Sequence, residues 1–431
     1  MKSTRRAFLG LAAGGAALAA GAPARAEQVR TSAKIVILGA GAAGTALANR
    51  LVRRLDGARI TIVDGRKEHF YQPGWSLVAA GLKPPGYTIS QTTDWLPEGV
   101  TLKADWAAGI DPDAKKVALQ GGETLDYDFL VVATGLVLDY GAIEGFDMDL
   151  IGQNGVGSLY AGPDYAARTW KAASKFAEEG GRGLFTRPGT EMKCAGAPIK
   201  HTFLIDDIAR RRGGRGKADI TYFAHSKALF GVPIVSERIR MVMENRGINY
   251  EYSHVLQAID PGAKKVTFAT PDGDYDLDYD YVHVIPPQRA PAVVRESGLS
   301  WADKWQDQGW VEVDKYTLRH NRYPEVYAVG DVAGVPKGKT AASVKWQVPV
   351  VEDGVVSQIA DRTPTETYNG YTSCPLITRV GRAMLIEFDY DNNLVPSFPG
   401  VIAPLEELWI SWLMKEVALK ATYNAMLRGK A

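Results

Sequence analysis

Cysteine and histidine are scarce in this chain, with two and six copies among 431 residues. The cysteines lie 180 positions apart and the histidines are scattered, so no group has the spacing of a zinc site and we predict no metal. The formal charge of +1 argues against a strongly basic nucleic-acid-binding protein. Neither a Walker loop nor the Gly-x-Ser-x-Gly motif of serine hydrolases is present.

Long apolar runs are also missing, even from the N-terminus. The first 26 residues contain Arg5-Arg6, Phe8-Leu9, a weakly apolar alanine-glycine stretch and Ala24-Arg25-Ala26. This order is typical of a twin-arginine export signal with an Ala-x-Ala cleavage site, and its glycines argue against a retained membrane span. The alternative is an accidental basic start. We expect residues 1–26 to be removed, the mature protein to be periplasmic, and a cofactor to be bound before export.

A strand–turn–helix–strand pattern follows this signal. The apolar run 35–38 leads into Gly39-Ala-Gly41-Ala-Ala-Gly44, and a second β-like run, 59–63, ends at Asp64. Gly39 permits a tight turn, Gly41 lets the backbone approach a pyrophosphate, and Gly44 lets helix and strand pack closely. Asp64 lies at the right distance along the chain to accept hydrogen bonds from a ribose. The pattern predicts a dinucleotide-binding domain.

Two later segments indicate which dinucleotide is bound. Residues 128–135 read DFLVVATG and end at Gly135, and residues 327–331 read YAVGD and include Gly330 and Asp331. They resemble the second and third FAD signatures of the two-dinucleotide-domain flavoproteins. In those proteins the aspartate that matches Asp331 bonds the ribityl chain. Three ordered matches predict FAD rather than NAD.

The second glycine loop that a nicotinamide-using relative would carry is absent. Between a strand signal at 183–186 and a helix-like run at 199–211, the chain reads RPGTEMKCAGAP, with Cys194 just before a helix that Pro198 favours. The helix dipole and the flanking Lys193 and Lys200 favour thiolate over thiol. A small buried thiol used for packing is an equal alternative on the local sequence.

The second cysteine, Cys374, lies in the segment NGYTSCPLIT at 369–378. An exported protein with two cysteines commonly joins them in a structural disulfide, and the sequence does not exclude this. One cysteine belongs to the loop expected to face the flavin, and the other follows the last FAD segment. A redox-active bridge beside the flavin is therefore a second interpretation.

Several longer segments resemble sulfide:quinone oxidoreductases, in particular the branch that relies on two cysteines and includes the mitochondrial enzyme. They are HFYQPGWSLVAAG (69–81), KCAGAPIK (193–200), HVIPP (283–287), KTAA (339–342), YTSCPLIT (371–378), FDY (388–390) and YNAMLRG (423–429). The resemblance covers nearly the whole mature chain in order. Some relatives carry a further cysteine, in places bonded to the flavin. This chain has none, so we expect noncovalent FAD.

The resemblance implies a mechanism and a set of site residues. Sulfide would attack a bridge between Cys194 and Cys374, either a disulfide or a bridge that holds extra sulfane sulfur. The attack would leave a persulfide on one cysteine and a thiolate on the other, and we favour Cys374 for the persulfide and Cys194 for the thiolate near the flavin. The thiolate would reduce the flavin, and reduced flavin would pass two electrons to a quinone. Lys200 would stabilise anionic intermediates, or else be a solvated helix lysine.

The implied FAD-binding residues are Gly39, Gly41, Ala42, Gly44, Asp64, Gln72, Ala107, Gly135, Gly330, Asp331, Lys339 and Thr340. The implied partners are sulfide, a ubiquinone- or menaquinone-type quinone, and a small thiol or polysulfide as sulfur acceptor; a homo-oligomer is compatible with them.

The C-terminal tail has an apolar stripe but no run long enough to span a bilayer. The stripe consists of Leu405, Leu408, Trp409, Trp412 and Leu413, with Tyr423, Met426 and Leu427 in later turns. Tryptophans with interspersed lysines suit a helix in the membrane interface, whereas such stripes more often pack on the core. Because a quinone is expected, we predict membrane contact.

The fold class predicted from this order of segments is α/β, with tandem Rossmann-like domains of which the second is degenerate. We assign residues 27–146 and 291–344 to the FAD domain, 147–290 to the degenerate nicotinamide-type domain with Cys194, and 345–431 to a C-terminal segment with Cys374. Three alternatives remain: a flavocytochrome-type sulfide dehydrogenase that passes electrons to a cytochrome, a type-II NADH:quinone reductase, and an FAD-stabilised interaction protein with a structural disulfide.

Overall fold

The structure is a computed structural model that describes residues 28–431. The predicted export signal lies outside the described residues. Within them the helices are α1 (Ala42–Arg54), α2 (Trp75–Val78), α3 (Pro163–Glu179), α4 (Ala197–Arg211), α5 (Pro233–Asn245), α6 (Ala292–Arg295), α7 (Ala341–Ile359), α8 (Trp409–Leu413) and α9 (Leu419–Leu427).

The strands of the described chain are short and numerous. They are β1 (Val29–Arg30), β2 (Lys34–Leu38), β3 (Leu55–Asp56), β4 (Arg59–Val63), β5 (Glu68–Phe70), β6 (Ile89–Gln91), β7 (Val100–Lys103), β8 (Ala107–Asp111), β9 (Lys116–Leu119), β10 (Thr124–Asp126), β11 (Phe129–Val132), β12 (Val137–Leu138), β13 (Val156–Gly157), β14 (Gly181–Thr186), β15 (Ala218–Phe223), β16 (Asn249–Glu251), β17 (Val255–Asp260), β18 (Lys265–Thr270), β19 (Gly273–Asp278), β20 (Tyr281–His283), β21 (Gln288–Arg289), β22 (Val311–Glu312), β23 (Val326–Ala328), β24 (Ala333–Gly334), β25 (Thr372–Arg379) and β26 (Arg382–Phe388).

The first large sheet is parallel and has the order β23-β11-β2-β4-β7. Its central strand β2 is the apolar run before the glycine turn, and its register places Val36 beside Leu130 and Thr61. Helices α1 and α7 pack against one another beside it. Strands covered on both faces need continuous apolar runs, which explains why β2 and β11 contain almost only Ile, Val, Leu and Phe.

The second large sheet is also parallel, with the order β13-β20-β14-β15-β16. Helix α4 leaves the carboxyl end of β14, as expected for a Rossmann-type unit, and carries the residues just after Cys194 at its start. Two antiparallel three-stranded sheets, β8 to β10 and β17 to β19, accompany the two parallel sheets. The predicted α/β class with two Rossmann-like units is confirmed.

The C-terminal segment joins both units. The hairpin β25–β26 packs against α4, and α9 packs against α1. None of the described helices combines the length and apolarity that crossing a membrane requires.

The apolar stripe of the tail does not form a single outward-facing surface. Its members Trp412, Tyr423, Met426 and Leu427 are buried in the protein's own cores. The helix widens into a π-turn over Met414–Ala418, which changes the direction that later side chains face relative to a regular α-helix. The exposed apolar residues of this helix are instead Trp409, Ile410 and Val417, with exposed fractions of 55%, 40% and 62%.

Candidate active site

A cavity opens beside the glycine turn of the first sheet and extends to the cysteine loop of the second. Of the residues predicted to bind cofactor or take part in chemistry, those that line it are Gly41, Ala42, Gln72, Gly135, Cys194, Lys200, Gly330, Asp331, Lys339 and Thr340. Gly39, Gly44, Asp64, Ala107 and Cys374 are not part of this lining. Segments that are up to 300 positions apart in the chain therefore meet at one site.

The glycine turn between β2 and α1 leaves room for a ligand to approach the protein backbone. Gly39 has φ +107°, and a Cβ there would lie 2.5 Å from the Ala133 carbonyl oxygen. A Cβ on Gly44 would lie 1.9 Å from the Gly39 carbonyl oxygen, so this glycine permits the contact between helix and turn. A Cβ on Gly41 would meet nothing closer than Arg66, at 3.8 Å, so this side of the turn faces open space. This is the arrangement that a pyrophosphate requires.

Asp64 follows β4 directly, and its side chain binds the backbone of the glycine turn. Its carboxylate accepts hydrogen bonds from the Ala40 amide at 2.7 Å and from the Arg66 amide and guanidinium at 2.9, 3.0 and 2.7 Å. Burial raises the pKa of Asp64, but the hydrogen bonds and charge of Arg66 outweigh it and hold the pKa below its ordinary value. The carboxylate is thus ionised and fixed. Ala107 lies in β8, in one of the antiparallel sheets.

The last FAD-like segment contributes a buried acid and a buried cation. Asp331 lines the cavity, and burial raises its pKa. The Lys339 ammonium donates to the carbonyl oxygens of Asp331 and Ala333 at 2.6 and 3.0 Å and lies 3.8 Å from the centre of the Trp310 ring. These contacts hold the ammonium against the backbone.

The two cysteines meet at the start of α4. Cys194 adopts a left-handed backbone conformation, with φ +45°, and its amide donates to the Lys339 carbonyl oxygen at 2.9 Å. Cys374 lies in β25, which packs against α4. A Cβ on Gly196 would lie 2.5 Å from the Cys374 sulfur, so only glycine leaves room for this thiol beside the helix. Neither cysteine is part of a disulfide in this structure.

The surroundings of the two cysteines lower the pKa of Cys194 and raise the pKa of Cys374. A hydrogen bond from the Cys374 thiol, supported by the positive charges of Lys200 and Lys415, lowers the pKa of Cys194 well below its ordinary value although burial opposes this. The same contact and burial raise the pKa of Cys374 well above its ordinary value. The Lys200 ammonium lies 3.5 Å from the Cys194 sulfur. The pair is therefore one thiolate, on Cys194, and one thiol, on Cys374.

Two further lysines of the cavity lie outside the predicted set. Lys415, in the π-turn of the tail helix, is buried, and its ammonium donates to the Pro73 carbonyl oxygen at 2.6 Å. Burial, with the nearby charge of Lys200, lowers the pKa of Lys415 to about 7. Lys193 donates to the Gln72 side-chain oxygen at 2.8 Å, and burial lowers its pKa to about 8. The only signal in the sequence for Lys415 was a charge that interrupts an apolar stripe.

The start of α4 is covered by protein. In a nicotinamide-binding Rossmann unit the pyrophosphate lies against the first helix N-terminus. Here the Cys374 sulfur lies against Gly196, the residue before α4, and β25 runs along the helix. The thiol pair thus takes the position that a second dinucleotide would need.

Comparison with known proteins agrees with this geometry. The sequence matches the family described as pyridine nucleotide-disulphide oxidoreductase over residues 33–164 and 216–346. The mitochondrial sulfide:quinone oxidoreductase of Mus musculus is 35% identical over 404 residues, which are 92% of this chain and 86% of the mouse protein. The mitochondrial sulfide:quinone oxidoreductase of Dictyostelium discoideum is 33% identical and covers 94% of this chain and 88% of its own length.

A solved structure shares the fold. The X-ray structure of the sulfide:quinone oxidoreductase from Aquifex aeolicus superposes with a TM-score of 0.75 at 20% identity and covers 92% of each chain. The chain therefore belongs to the sulfide:quinone oxidoreductase family, within the pyridine nucleotide-disulphide oxidoreductases.

Proposed function

We propose that this protein is an FAD-dependent sulfide:quinone oxidoreductase that uses Cys194 and Cys374 as its redox-active pair. The observation that carries the proposal is the position of the Cys194 thiolate, in the wall of the dinucleotide cavity, with Cys374 packed behind it. The names of the relatives support sulfide as the reductant and quinone as the oxidant.

The residues present fit FAD. The open side of Gly41 suits the pyrophosphate, and Gly135, Gly330 and Asp331 line the same cavity. The chain has no third cysteine for a covalent link, which supports noncovalent binding. When bound, FAD supplies the step that connects two-electron thiol chemistry to quinone reduction. Asp64 for the ribose and Asp331 for the ribityl chain remain the proposed partners.

The chain's own residues account for the sulfur chemistry. In the oxidised protein a bridge joins Cys194 and Cys374. Hydrosulfide attacks the Cys374 sulfur, the bridge bond breaks, and the products are a Cys374 persulfide and a Cys194 thiolate. The Lys200 ammonium, 3.5 Å from the Cys194 sulfur, stabilises the leaving thiolate. The electron pair of that thiolate then faces the cavity.

The tail helix supports access to a membrane quinone. Its outer face exposes Trp409, Ile410 and Val417, while Lys415 and Tyr423 of the same helix line the cavity. An exposed apolar face with tryptophan suits the membrane interface. Contact there would bring the quinone to the cavity from the lipid side.

We extend the proposal to a peripheral protein on the periplasmic face of the membrane, exported through Arg5-Arg6 of the signal, with a small thiol or polysulfide as the sulfur acceptor.

An anaerobic titration tests the function. Sulfide is added to the FAD-loaded protein while flavin absorbance is followed, and a short-chain quinone is then added. We expect bleaching by sulfide and recovery with quinone. Cys194→Ser should abolish bleaching by sulfide while dithionite still reduces its flavin, which shows that the cofactor is intact. A wild-type flavin that stays oxidised in sulfide contradicts the proposal. Recovery with cytochrome c and not with quinone would instead identify the flavocytochrome-type enzyme.

A further inference from the structure

Arg187 is a buried cation for which the described part of the chain provides no counter-charge. It follows β14 directly, and only 9% of its surface is exposed. Within residues 28–431 its guanidinium forms no hydrogen bond, no ion pair and no stacking contact with an aromatic ring, and its Nε atom is buried without a partner. Burying an unpaired charge is costly, so buried arginines are normally paired. A ligand that carries negative charge would remove this cost.

Two other polar groups that lack partners among residues 28–431 lie near Arg187. The register of the parallel pair places Phe185 of β14 beside Tyr222 of β15, and Arg187 follows two residues after Phe185, directly beyond the end of β14. The Tyr222 hydroxyl is fully buried and has no partner in the described chain. His225 follows β15, and its Nδ1 atom is likewise buried without a partner.

The three side chains lie at the carboxyl ends of adjacent parallel strands. Ligands of open α/β sheets bind outside these ends. A dinucleotide is not the candidate here, because the Cys374 sulfur covers the start of α4, where its pyrophosphate would lie. A ligand at the ends of β14 and β15 must therefore be smaller than a dinucleotide.

We propose that Arg187, Tyr222 and His225 form a binding site for a small tetrahedral oxyanion of the sulfate and phosphate class. A guanidinium presents a planar fork of donors that matches two oxygens of such an anion. The Tyr222 hydroxyl and the His225 ring supply donors for further oxygens, which a tetrahedral oxyanion has and a carboxylate lacks.

The ionisation of His225 agrees with a cationic site. Burial, together with the positive charge of Arg187, lowers the pKa of His225 to about 4. Arg187 also acts on the pKa of Tyr222, where burial dominates and raises the pKa to about 12. The positive charge of Arg187 therefore influences the pKa of both Tyr222 and His225.

Calorimetric titration of sulfate into the FAD-loaded protein, in low-salt buffer, tests the site. We expect one saturable site, weakened at least about tenfold by Arg187→Gln and about fivefold by Tyr222→Phe, because each change removes a hydrogen bond to a charged group. Arg187→Lys keeps the charge without the fork and should retain intermediate affinity if the protein is folded. Arg182→Gln, at the exposed start of the same strand, should have no effect.

Crystals soaked in selenate locate the anion independently, because selenium scatters anomalously. A peak beside Arg187 is the expected result. Three outcomes overturn the proposal: no sulfate binding, binding that Arg187→Gln leaves unchanged, or tighter binding of acetate than of sulfate. The titration involves no turnover, so failure of the sulfide:quinone activity would not affect this result, and failure of the anion site would leave that activity standing.

Discussion

The Lys200 ammonium lies 3.5 Å from the Cys194 sulfur, and both belong to the eight-residue segment in which α4 begins. Burial tends to neutralise lysine, yet the two cysteines outweigh it and raise the pKa of Lys200. The ammonium therefore stays charged in a buried site, and it stabilises the thiolate that the proposed chemistry needs.

Removal of this charge should slow the reaction. Lys200→Met takes away the positive charge nearest the Cys194 sulfur, so the pKa of Cys194 should rise and the thiolate fraction at neutral pH should fall. We expect alkylation of Cys194 by iodoacetamide, and flavin bleaching by sulfide, to slow about tenfold or more. Lys175→Met, at an exposed lysine of α3, is the matched control. Unchanged alkylation in Lys200→Met would show that the lysine does not stabilise the thiolate.

Gly196 should tolerate no side chain. Gly196→Ala places a Cβ 2.5 Å from the Cys374 sulfur, so that the thiol or α4 has to move, at a cost of about 1–3 kcal/mol. Sulfide-dependent bleaching should slow about a hundredfold, since small misplacements of reacting groups have effects of this size. Gly216→Ala, with no atom within 4 Å of the new Cβ, should behave as wild type. Equal rates in both variants would contradict the packing argument.

Gly44 should determine whether FAD binds. Gly44→Ala brings a Cβ to 1.9 Å from the Gly39 carbonyl oxygen and forces α1 away from the glycine turn. We expect the purified variant to lose most of its flavin, measured as the ratio of visible to ultraviolet absorbance. Gly86→Ala, at a glycine whose added Cβ meets nothing within 4 Å, should keep its full content. If Gly44→Ala kept its full flavin content, the glycine turn would not be part of the cofactor site.

Lys415 should make stability depend on pH. Its pKa falls from 10.5 to about 7 on folding, so between these values the unfolded chain holds a proton that the folded protein has lost. Stability should therefore rise with pH across this window, by about 1.4 kcal/mol per pH unit from this group. The difference in free energy of unfolding between Lys415→Met and wild type should shrink from pH 7 to pH 9.5. A difference that is constant with pH would show that folding does not lower the pKa of Lys415.

The outer face of the tail helix should bind lipid. Trp409→Ser with Val417→Ser removes two exposed apolar side chains, and sedimentation with anionic lipid vesicles should fall at least about tenfold, given the free energy of burying such side chains. Ser substitutions at the exposed Tyr275 and Tyr316, which lie outside the tail helix, form the control. Sedimentation that is equal in both double variants would contradict the membrane contact.

Local sequence was sufficient where the chemistry depends on residues close in the chain. The glycine spacing around Gly41, the strands that flank it and the α/β class followed from apolar runs and backbone requirements, because a tight turn between strand and helix is set by a few neighbouring residues. The helix after Cys194 followed in the same way from Pro198 and the apolar residues beyond it.

In the C-terminal tail, the helical periodicity of the sequence did not predict which side chains face the protein. A single helical period describes the stripe at 405–427 in the sequence, but a π-turn at Met414–Ala418 changes which side chains face the protein. Hydrophobic residues that pack on the core and those that face a membrane have the same composition. Only the position of the helix against α1 and β26 distinguished Trp412 from Trp409.

The sequence by itself determined the first dinucleotide site, the absence of a second glycine loop and the family resemblance, since each is a property of consecutive residues. The tertiary structure decided which groups act on one another: Cys374 beside Gly196, Lys415 near the thiols, and Arg187 without a partner among the residues that the structure describes. These relationships join residues that are far apart in the chain. Their electrostatic effects arise from distance and burial in three dimensions, which no local pattern of residues records.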